Sequence, residues 1–273
     1  MDAIFDPQIL ANDLCEVHRI YASFFSGLHM EDWEKPVKGG SKEWNLHETI
    51  AHLCALTGAG LESIQSTLRG ETYTFDGLTD RYHFIAYNRH GIDEHLPLPM
   101  KELCAEFLTI LSQTADIARS LRAEECDLAS EMPIYNRPVK IVEAMGIMMF
   151  HAALHHSAQV AEPAGVPPLW KQLSPEIRHR VIGRVMRALS LLYHYDLGRD
   201  LRAAFVFQID GPGGGNWYVD VSPEKTSSKE GIADHPNSLV LHMKKTDVIC
   251  QLFTGRFNLP FGLLAGQLKL RGN

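Results

Sequence analysis

The chain of 273 residues carries a formal net charge of −7, with 45% hydrophobic and 22% charged residues. This composition is typical of a globular protein long enough for two domains, and it excludes a low-complexity chain. The acidic balance and the lack of a basic run argue against nucleic acid as a partner. The sequence also lacks the roughly 18 consecutive apolar residues of a membrane-spanning helix, so no membrane insertion is expected.

The cysteines and the start of the chain indicate a compartment. Five cysteines lie far apart, and no two of them form a Cys-x-x-Cys pair. An odd number at wide spacing is typical of reduced thiols and not of a disulfide scaffold. Residues 1–6 show no basic segment followed by an apolar one, so no signal peptide is predicted. We therefore expect a cytoplasmic protein.

The first part of the chain has helical periodicity. Apolar residues spaced three and four apart predict three main helices, over residues 7–28, 45–68 and 100–121, and the less regular residues 81–92 are compatible with a further helix. Asn45, followed three residues later by Glu48, is a capping-box signature at the start of the second. A last helix over residues 139–162 contains no proline and is apolar at most positions. Together these patterns predict an all-α four-helix bundle over residues 1–165.

A break and a change of period follow. Pro163, Pro167 and Pro168 cannot continue a helix and mark the domain boundary. The remaining pattern predicts a helix over residues 175–195, strands over residues 203–209, 217–221 and 238–243, and a helix over residues 246–253. The chain is thus predicted to be multi-domain, with an α+β domain over residues 172–273 after the bundle.

The histidines of the last predicted helix carry the functional signal. His151 and His155 are four residues apart, so on an α-helix they share a face and supply half of a zinc-type coordination shell. His52 on the second helix is the candidate third ligand, which leaves an open position for water, a thiol or a substrate. The alternative is that His151 and His155 are polar residues in a helix seam, and their spacing leaves both interpretations open.

Two neighbours of these histidines have less certain roles. His156 is expected about 100° round the helix from His155, facing away from the metal. Glu48 lies one turn before His52, where it either orients an imidazole or is a solvated helix residue. Zinc is the metal expected first, and nickel and iron are alternatives because imidazole suits all three.

Two segments resemble motifs of the DinB superfamily. Residues 44–53, WNLHETIAHL, are similar to its second helix, and residues 151–159, HAALHHSAQ, to its last helix. That family is a four-helix metal-binding bundle, and the resemblance implies His52, His151 and His155 as the ligands. The chain most resembles the branch of mycothiol-dependent maleylpyruvate isomerase. That branch usually has glutamate where this chain has His151.

Further residues extend the resemblance. Asn88 and Arg89 are similar to an Asn-containing segment of the same branch. Together with Arg81 they are candidates for binding the cofactor or an anionic substrate at the mouth of the bundle, with ordinary surface placement as the alternative for the two arginines. Most of residues 200–273, including the ending GQLKLRG, resembles a sterol-carrier-protein domain, in which several members enclose an apolar tunnel. The same branch has both domains in this order.

The resemblance implies a metal-dependent isomerase or transferase. It would use a low-molecular-weight thiol such as mycothiol, whose metal-bound thiolate attacks a small electrophilic substrate. A second hypothesis is a non-enzymatic protein that binds lipid or another apolar ligand in its C-terminal domain. A third is a metal-dependent hydrolase that uses a metal-bound water and no thiol. The histidine pattern does not choose among the three.

Overall fold

The computed structural model describes residues 3–37, 44–78, 83–132, 135, 138–193, 198, 200–233 and 235–272. The chain divides into two compact units, Met1–Leu173 and Ser174–Asn273. The first unit is mainly helical, and the second combines helices with a mixed sheet. This confirms the prediction of a helical domain followed by an α+β domain.

The helical unit contains α1 (Pro7–Ser26), α2 (Leu46–Leu68), α3 (Phe84–His95), α4 (Met100–Ser120), α5 (Ile141–Phe150) and α6 (Ser157–Ala161). A π-helical turn, His151–His155, separates α5 from α6. A two-residue strand pair, β1 (Ala129–Ser130) and β2 (Val139–Lys140), precedes α5. The prediction of one uninterrupted α-helix over residues 139–162 was wrong at the π-turn and at the first two residues.

Side-chain caps explain where the helices begin. The Asp6 carboxylate accepts the N–H of Gln8 at 3.0 Å, and Pro7 occupies the first helical position of α1. The predicted capping box of α2 is confirmed, because Asn45 Oδ1 accepts the Glu48 N–H at 2.8 Å and Glu48 Oε2 accepts the Asn45 N–H at 3.1 Å. The cap fixes the phase of α2 a few residues before His52.

The long helices bury one another's apolar faces. α2 packs against α3, α4 and α5, and α1 packs against α4 and α5. Tyr21 of α1 and Phe107 of α4 meet edge to face in this core, with ring centroids 5.0 Å apart. The turn Leu169–Gln172, at the edge of the predicted second domain, packs on α1 and α6 through its buried Leu169 and Trp170. No helix in the described ranges is long and apolar enough to cross a membrane.

The second unit is built on a five-stranded sheet. Its elements are α7 (Pro175–Leu192), β3 (Ala203–Ile209), β4 (Gly215–Val221), β5 (Thr226–Glu230), β6 (Ser238–Met243), α8 (Thr246–Phe253), α9 (Leu259–Leu264) and β7 (Leu268–Gly272). The strand order is β5-β4-β3-β6-β7, with β3 and β6 parallel and the other pairs antiparallel. α7 packs on β4 and β5. The predictions of β3, β6 and α8 are confirmed, whereas β5 and α9 were not predicted.

Candidate metal centre

Three histidines converge between α2 and the end of α5. Nε2 of His52 lies 3.2 Å from Nε2 of His151 and 3.1 Å from Nε2 of His156, and the last two are 3.0 Å apart. His52 and His156 are buried, and His151 is half-buried. Among the described residues these three form the one group of histidine, cysteine and carboxylate side chains close enough to hold a single metal ion.

The π-turn brings His156 into this group. In an α-helix the N–H of His156 would bond four residues back, to the carbonyl of Ala152. Here it bonds five residues back, to the carbonyl of His151 at 3.0 Å. The wider turn puts residues five apart on one face. The expectation that His156 faces away from the site was therefore wrong, because it assumed a regular α-helix.

A tyrosine from another helix satisfies the carbonyl that the π-turn releases. The hydroxyl of Tyr21, on α1, donates to the Ala152 carbonyl at 2.9 Å, and both residues are almost fully buried. A buried carbonyl without a donor would carry a free-energy cost of about 1–3 kcal/mol. The hydrogen bond from Tyr21 therefore stabilises the wide turn against a regular α-helix.

His155 lies beside the group without joining it. Its ring stacks on that of His151, with centroids 5.9 Å apart. The structure thus brings together two of the three predicted ligands, His52 and His151, and places His156 where His155 was expected. The ligand set itself stays a prediction, and we carry it forward with His156 as its third member. The sequence signal for His156 was its position next to His155.

Amide oxygens orient two of the imidazoles. Nδ1 of His52 lies 2.6 Å from Oδ1 of Asn88, and Nδ1 of His156 contacts Oε1 of Gln159. An amide oxygen only accepts hydrogen bonds, so each Nδ1 carries the hydrogen and each Nε2 presents a lone pair. Outer partners of this kind hold metal-binding histidines in many proteins. Gln159 is a functional candidate that the sequence reasoning missed.

The orientation of the His52 and His156 imidazoles is favourable only with a cation between them. The lone pairs of His52 Nε2 and His156 Nε2 face each other across 3.1 Å with no hydrogen between them. The contact is repulsive unless a positive charge lies between the two nitrogens. Tetrahedral zinc with Zn–N bonds of 2.0–2.1 Å places its nitrogen ligands about 3.3–3.4 Å apart. The observed separations of 3.0–3.2 Å are slightly shorter than these values, so a small outward shift of the rings would accommodate such an ion.

Burial keeps the three imidazoles neutral. It lowers the pKa of His52 to about 4, and it holds the pKa values of His151 and His156 well below the ordinary histidine value. The neighbouring imidazoles add to this effect, because a second positive charge nearby is disfavoured. A neutral imidazole is the form that binds a metal, so protons compete little for these nitrogens at neutral pH.

A close approach of α3 to α2 places Asn88. A Cβ atom at Gly91 would lie only 2.9 Å from Cβ of Ala55, so the two helices touch at this point. Asn88 and His52 each lie three residues before these contact positions. The same spacing on both helices brings the amide of Asn88 onto the imidazole of His52.

The other predicted site residues have different surroundings. Arg89 donates to Glu48 Oε1 at 2.7 Å and to Asp93, and its side chain is about half exposed. The other carboxylate oxygen of Glu48 caps α2, so Glu48 supports the helix and Arg89 rather than an imidazole. Arg81 lies outside the described residues. Asn88 contacts a candidate metal ligand, and its predicted role in cofactor binding stays a prediction.

Solved structures share this fold. A histidine-to-alanine variant of mycothiol-dependent maleylpyruvate isomerase aligns over 100% of this chain and 97% of its own, at a TM-score of 0.64 and 12% identity. The chain has the fold of that isomerase. A second structure of the same isomerase aligns with equal coverage at a TM-score of 0.61 and 12% identity. The resemblance found in residues 44–53 and 151–159 is thus confirmed at the level of the fold.

Comparison of sequences gives shorter matches. Human hydroxysteroid dehydrogenase-like protein 2 is 25% identical over 116 residues, which are 41% of this chain and 28% of the human protein. The protein of the same name from Pongo abelii is 24% identical over the same length and also matched over 28% of its length. The chain therefore spans less than a third of the curated relatives it matches. No family model matches the chain.

Tyr21→Phe tests the support of the π-turn. The variant leaves the Ala152 carbonyl without its donor, so we expect the helical unit to lose about 1–3 kcal/mol of stability in urea unfolding. We also expect weaker zinc binding in competition with a chromogenic chelator, because His156 is released. Tyr73→Phe is the matched control, since among the described residues the Tyr73 hydroxyl bonds to Glu62 alone, at a partly exposed position. Unchanged zinc affinity in Tyr21→Phe would rule out this role.

Asn88→Ala tests the orientation of His52. Loss of the amide oxygen frees the imidazole to rotate and to change tautomer, and we expect zinc affinity to fall about 10- to 100-fold. Arg89→Ala is the control, because it alters the neighbouring position and leaves the contact between Asn88 and His52 intact. Equal zinc affinities for the two variants would contradict the assignment.

Proposed function

We propose that this protein is a metal-dependent isomerase that uses a low-molecular-weight thiol to act on a small electrophilic substrate. The observation that carries the proposal is the convergence of three Nε2 atoms within 3.2 Å of one another. The fold shared with mycothiol-dependent maleylpyruvate isomerase supports the choice of reaction class. A thiol-dependent transferase is the closest related activity for the same site.

The residues of this chain have different roles at the site. His52, His151 and His156 would hold the metal, which is zinc in the first instance. When bound, a divalent metal would lower the pKa of a thiol bound to it, so that the thiol is present as the more nucleophilic thiolate. Asn88 and Gln159 keep two imidazoles in the tautomer that presents Nε2. The burial of His52 and His156 limits the access of water from their side of the site.

The architecture is part of the proposal. We assign α1, α2, α4 and α5 to a DinB-like four-helix bundle, supported by the packing of α2 on α4 and α5 and of α1 on α4 and α5. The sheet in the order β5-β4-β3-β6-β7 with its three helices supports a sterol-carrier-like second domain. All five cysteines are free thiols, which supports a cytoplasmic location.

Arg89 remains a candidate for binding an anionic group of the thiol or substrate. Its side chain is about half exposed although two carboxylates hold it, and it follows Asn88 in the chain. We keep Arg81 in the same role from the sequence alone. An interaction of this kind would act on the Michaelis constant for the thiol and leave the metal content unchanged.

The proposal is tested by metal content and thiol dependence together. Elemental analysis of the wild-type protein is expected to show near-stoichiometric metal, and His151→Ala is expected to lose it. Turnover of maleylpyruvate and related unsaturated oxo acids should then require both metal and added thiol, with mycothiol and glutathione compared. A wild-type protein that cannot be loaded with metal contradicts the proposal. Turnover that proceeds equally without thiol would contradict the thiol dependence, and a product cleaved with uptake of water would indicate metal-dependent hydrolysis.

A second candidate function is the binding of an apolar ligand by the second unit. α9 exposes Leu259, Phe261 and Leu264, the last residue being 89% exposed, and β7 exposes Leu270, which is 48% exposed. Neighbouring exposed apolar side chains of this kind often mark a binding surface. Mass spectrometry of an organic extract of the purified protein tests this candidate. Lipid that is present in the wild type and lost in Phe261→Ser favours it, and a lipid-free wild type that takes up no fluorescent fatty acid excludes it.

A further inference from the structure

One buried hydroxyl near the histidines has no partner among the residues that the structure describes. α2 contains three threonines, and the hydroxyls of Thr49 and Thr67 each bond to the carbonyl four residues before them, at 2.9 Å. Thr57 is on the same helix and is 1% exposed, yet its Oγ1 makes no hydrogen bond within the described structure. Threonines in helices usually make the bond that Thr49 and Thr67 make. An unpaired buried hydroxyl is rare and needs an explanation.

Thr57 lines a small cavity that also reaches His151. The cavity has a volume of about 40 Å³, and its walls come from α2, α5, Met132 and the first residue of the π-turn. Apart from Thr57 and His151, the described residues that line it are apolar, with Ile147, Met148 and Phe150 from α5. One water needs roughly 10–15 Å³ of such a volume, so the cavity admits a group of about three non-hydrogen atoms.

The side chains that line the cavity restrict which ligand groups can bind in it. No charged side chain is among the described residues that line the cavity, so a carboxylate placed there would lack a partner for its charge. An apolar segment suits the walls, and a rotation of the covered Thr57 side chain would present its hydroxyl to one uncharged hydrogen-bonding atom. His151 borders both this cavity and the candidate metal centre.

We propose that this cavity is the subsite for the uncharged, short segment of a ligand bound at the metal, with the Thr57 hydroxyl as its hydrogen-bonding partner. The proposal rests on the proposed function, because the metal defines one end of the subsite. It adds a specificity: the group nearest the metal is small and neutral, and any anionic group of the substrate lies elsewhere. Thr57 is then a residue that selects the ligand and does not hold the metal.

Matched thiols bound to cobalt-loaded protein test the subsite without an activity assay. Each pair has one member with a terminal hydroxyl and one with a methyl group: 2-mercaptoethanol with 1-propanethiol, and 3-mercapto-1-propanol with 1-butanethiol. Thiolate-to-cobalt absorption reports the dissociation constants. In the wild type we expect at least one hydroxyl thiol to bind about five- to tenfold tighter than its partner, which is the worth of one hydrogen bond.

Thr57→Val keeps the shape of the side chain and removes the hydroxyl, so the preference should fall to about one while cobalt content stays stoichiometric. Thr57→Ser should restore the preference, and Thr67→Val, on the same helix, should leave it unchanged. Comparing ratios between variants cancels differences in thiol acidity. If Thr57→Val does not fold, Thr57→Ala provides the same comparison.

The outcomes separate this inference from the proposed function. Stoichiometric cobalt and thiol binding with the same ratios in the wild type and Thr57→Val overturn the subsite and leave the proposed function standing. Protein that binds cobalt but gives no thiolate absorption with any of the four thiols contradicts the proposed function and the subsite with it.

Discussion

The convergence of three imidazole Nε2 atoms, two of them with lone pairs facing each other, is the interaction on which the rest of the helical unit depends. His52 Nε2 and His156 Nε2 are 3.1 Å apart, and neither carries a hydrogen because each Nδ1 donates to an amide oxygen. Without a cation, such a contact is repulsive and its groups are poorly solvated. With one, the same three nitrogens become a coordination shell. The low pKa values of the three histidines have the same origin, which is their burial close together.

The surrounding structure holds this geometry from three directions. The capping box of Asn45 and Glu48 fixes the start of α2, and therefore the direction of His52. Gly91 lets α3 approach closely enough for Asn88 to reach that imidazole. Tyr21 reaches across from α1 and supports the π-turn that places His156. Each of these is a short-range contact, and together they hold α1, α2, α3 and the π-turn around the candidate metal centre.

Local signals made much of this fold predictable from the sequence. The cap at Asn45 and the proline at position 7 act on their own neighbours, so the starts of α1 and α2 followed from a few adjacent residues. β3, β6 and α8 had clear periodicity. In contrast, β5 has the polar sequence TSSKE and is defined by its pairing with β4, so no local pattern predicted this strand.

The candidate site was predictable only in part, for a related reason. His52 and His151 were identified from helical spacing and from the resemblance to a known motif. The third member of the group depends on the π-turn, which a hydroxyl 131 residues away in sequence supports. A regular α-helix was the natural expectation for this apolar segment, and it points to His155. The orienting residue Gln159 follows from the same turn, because its amide contacts His156.

The chain shares its fold with mycothiol-dependent maleylpyruvate isomerase, but a shared fold does not determine function. The function of this protein has to be inferred from the residues of its site. Here the site combines three nitrogens that could hold a metal with a cavity at His151 whose described lining is uncharged and mostly apolar. That combination is the basis of our proposal of a small ligand whose reacting atom binds the metal and whose adjacent group is uncharged.

The most direct measurement is the metal content of His156→Ala beside that of His155→Ala, each purified and loaded with zinc under the same conditions. The rings of the two residues are in contact, so the substitutions disturb nearly the same region. The geometry predicts that His156→Ala loses stoichiometric zinc and that His155→Ala keeps it. Loss of zinc in His155→Ala with retention in His156→Ala would contradict the central claim that the π-turn builds the metal centre.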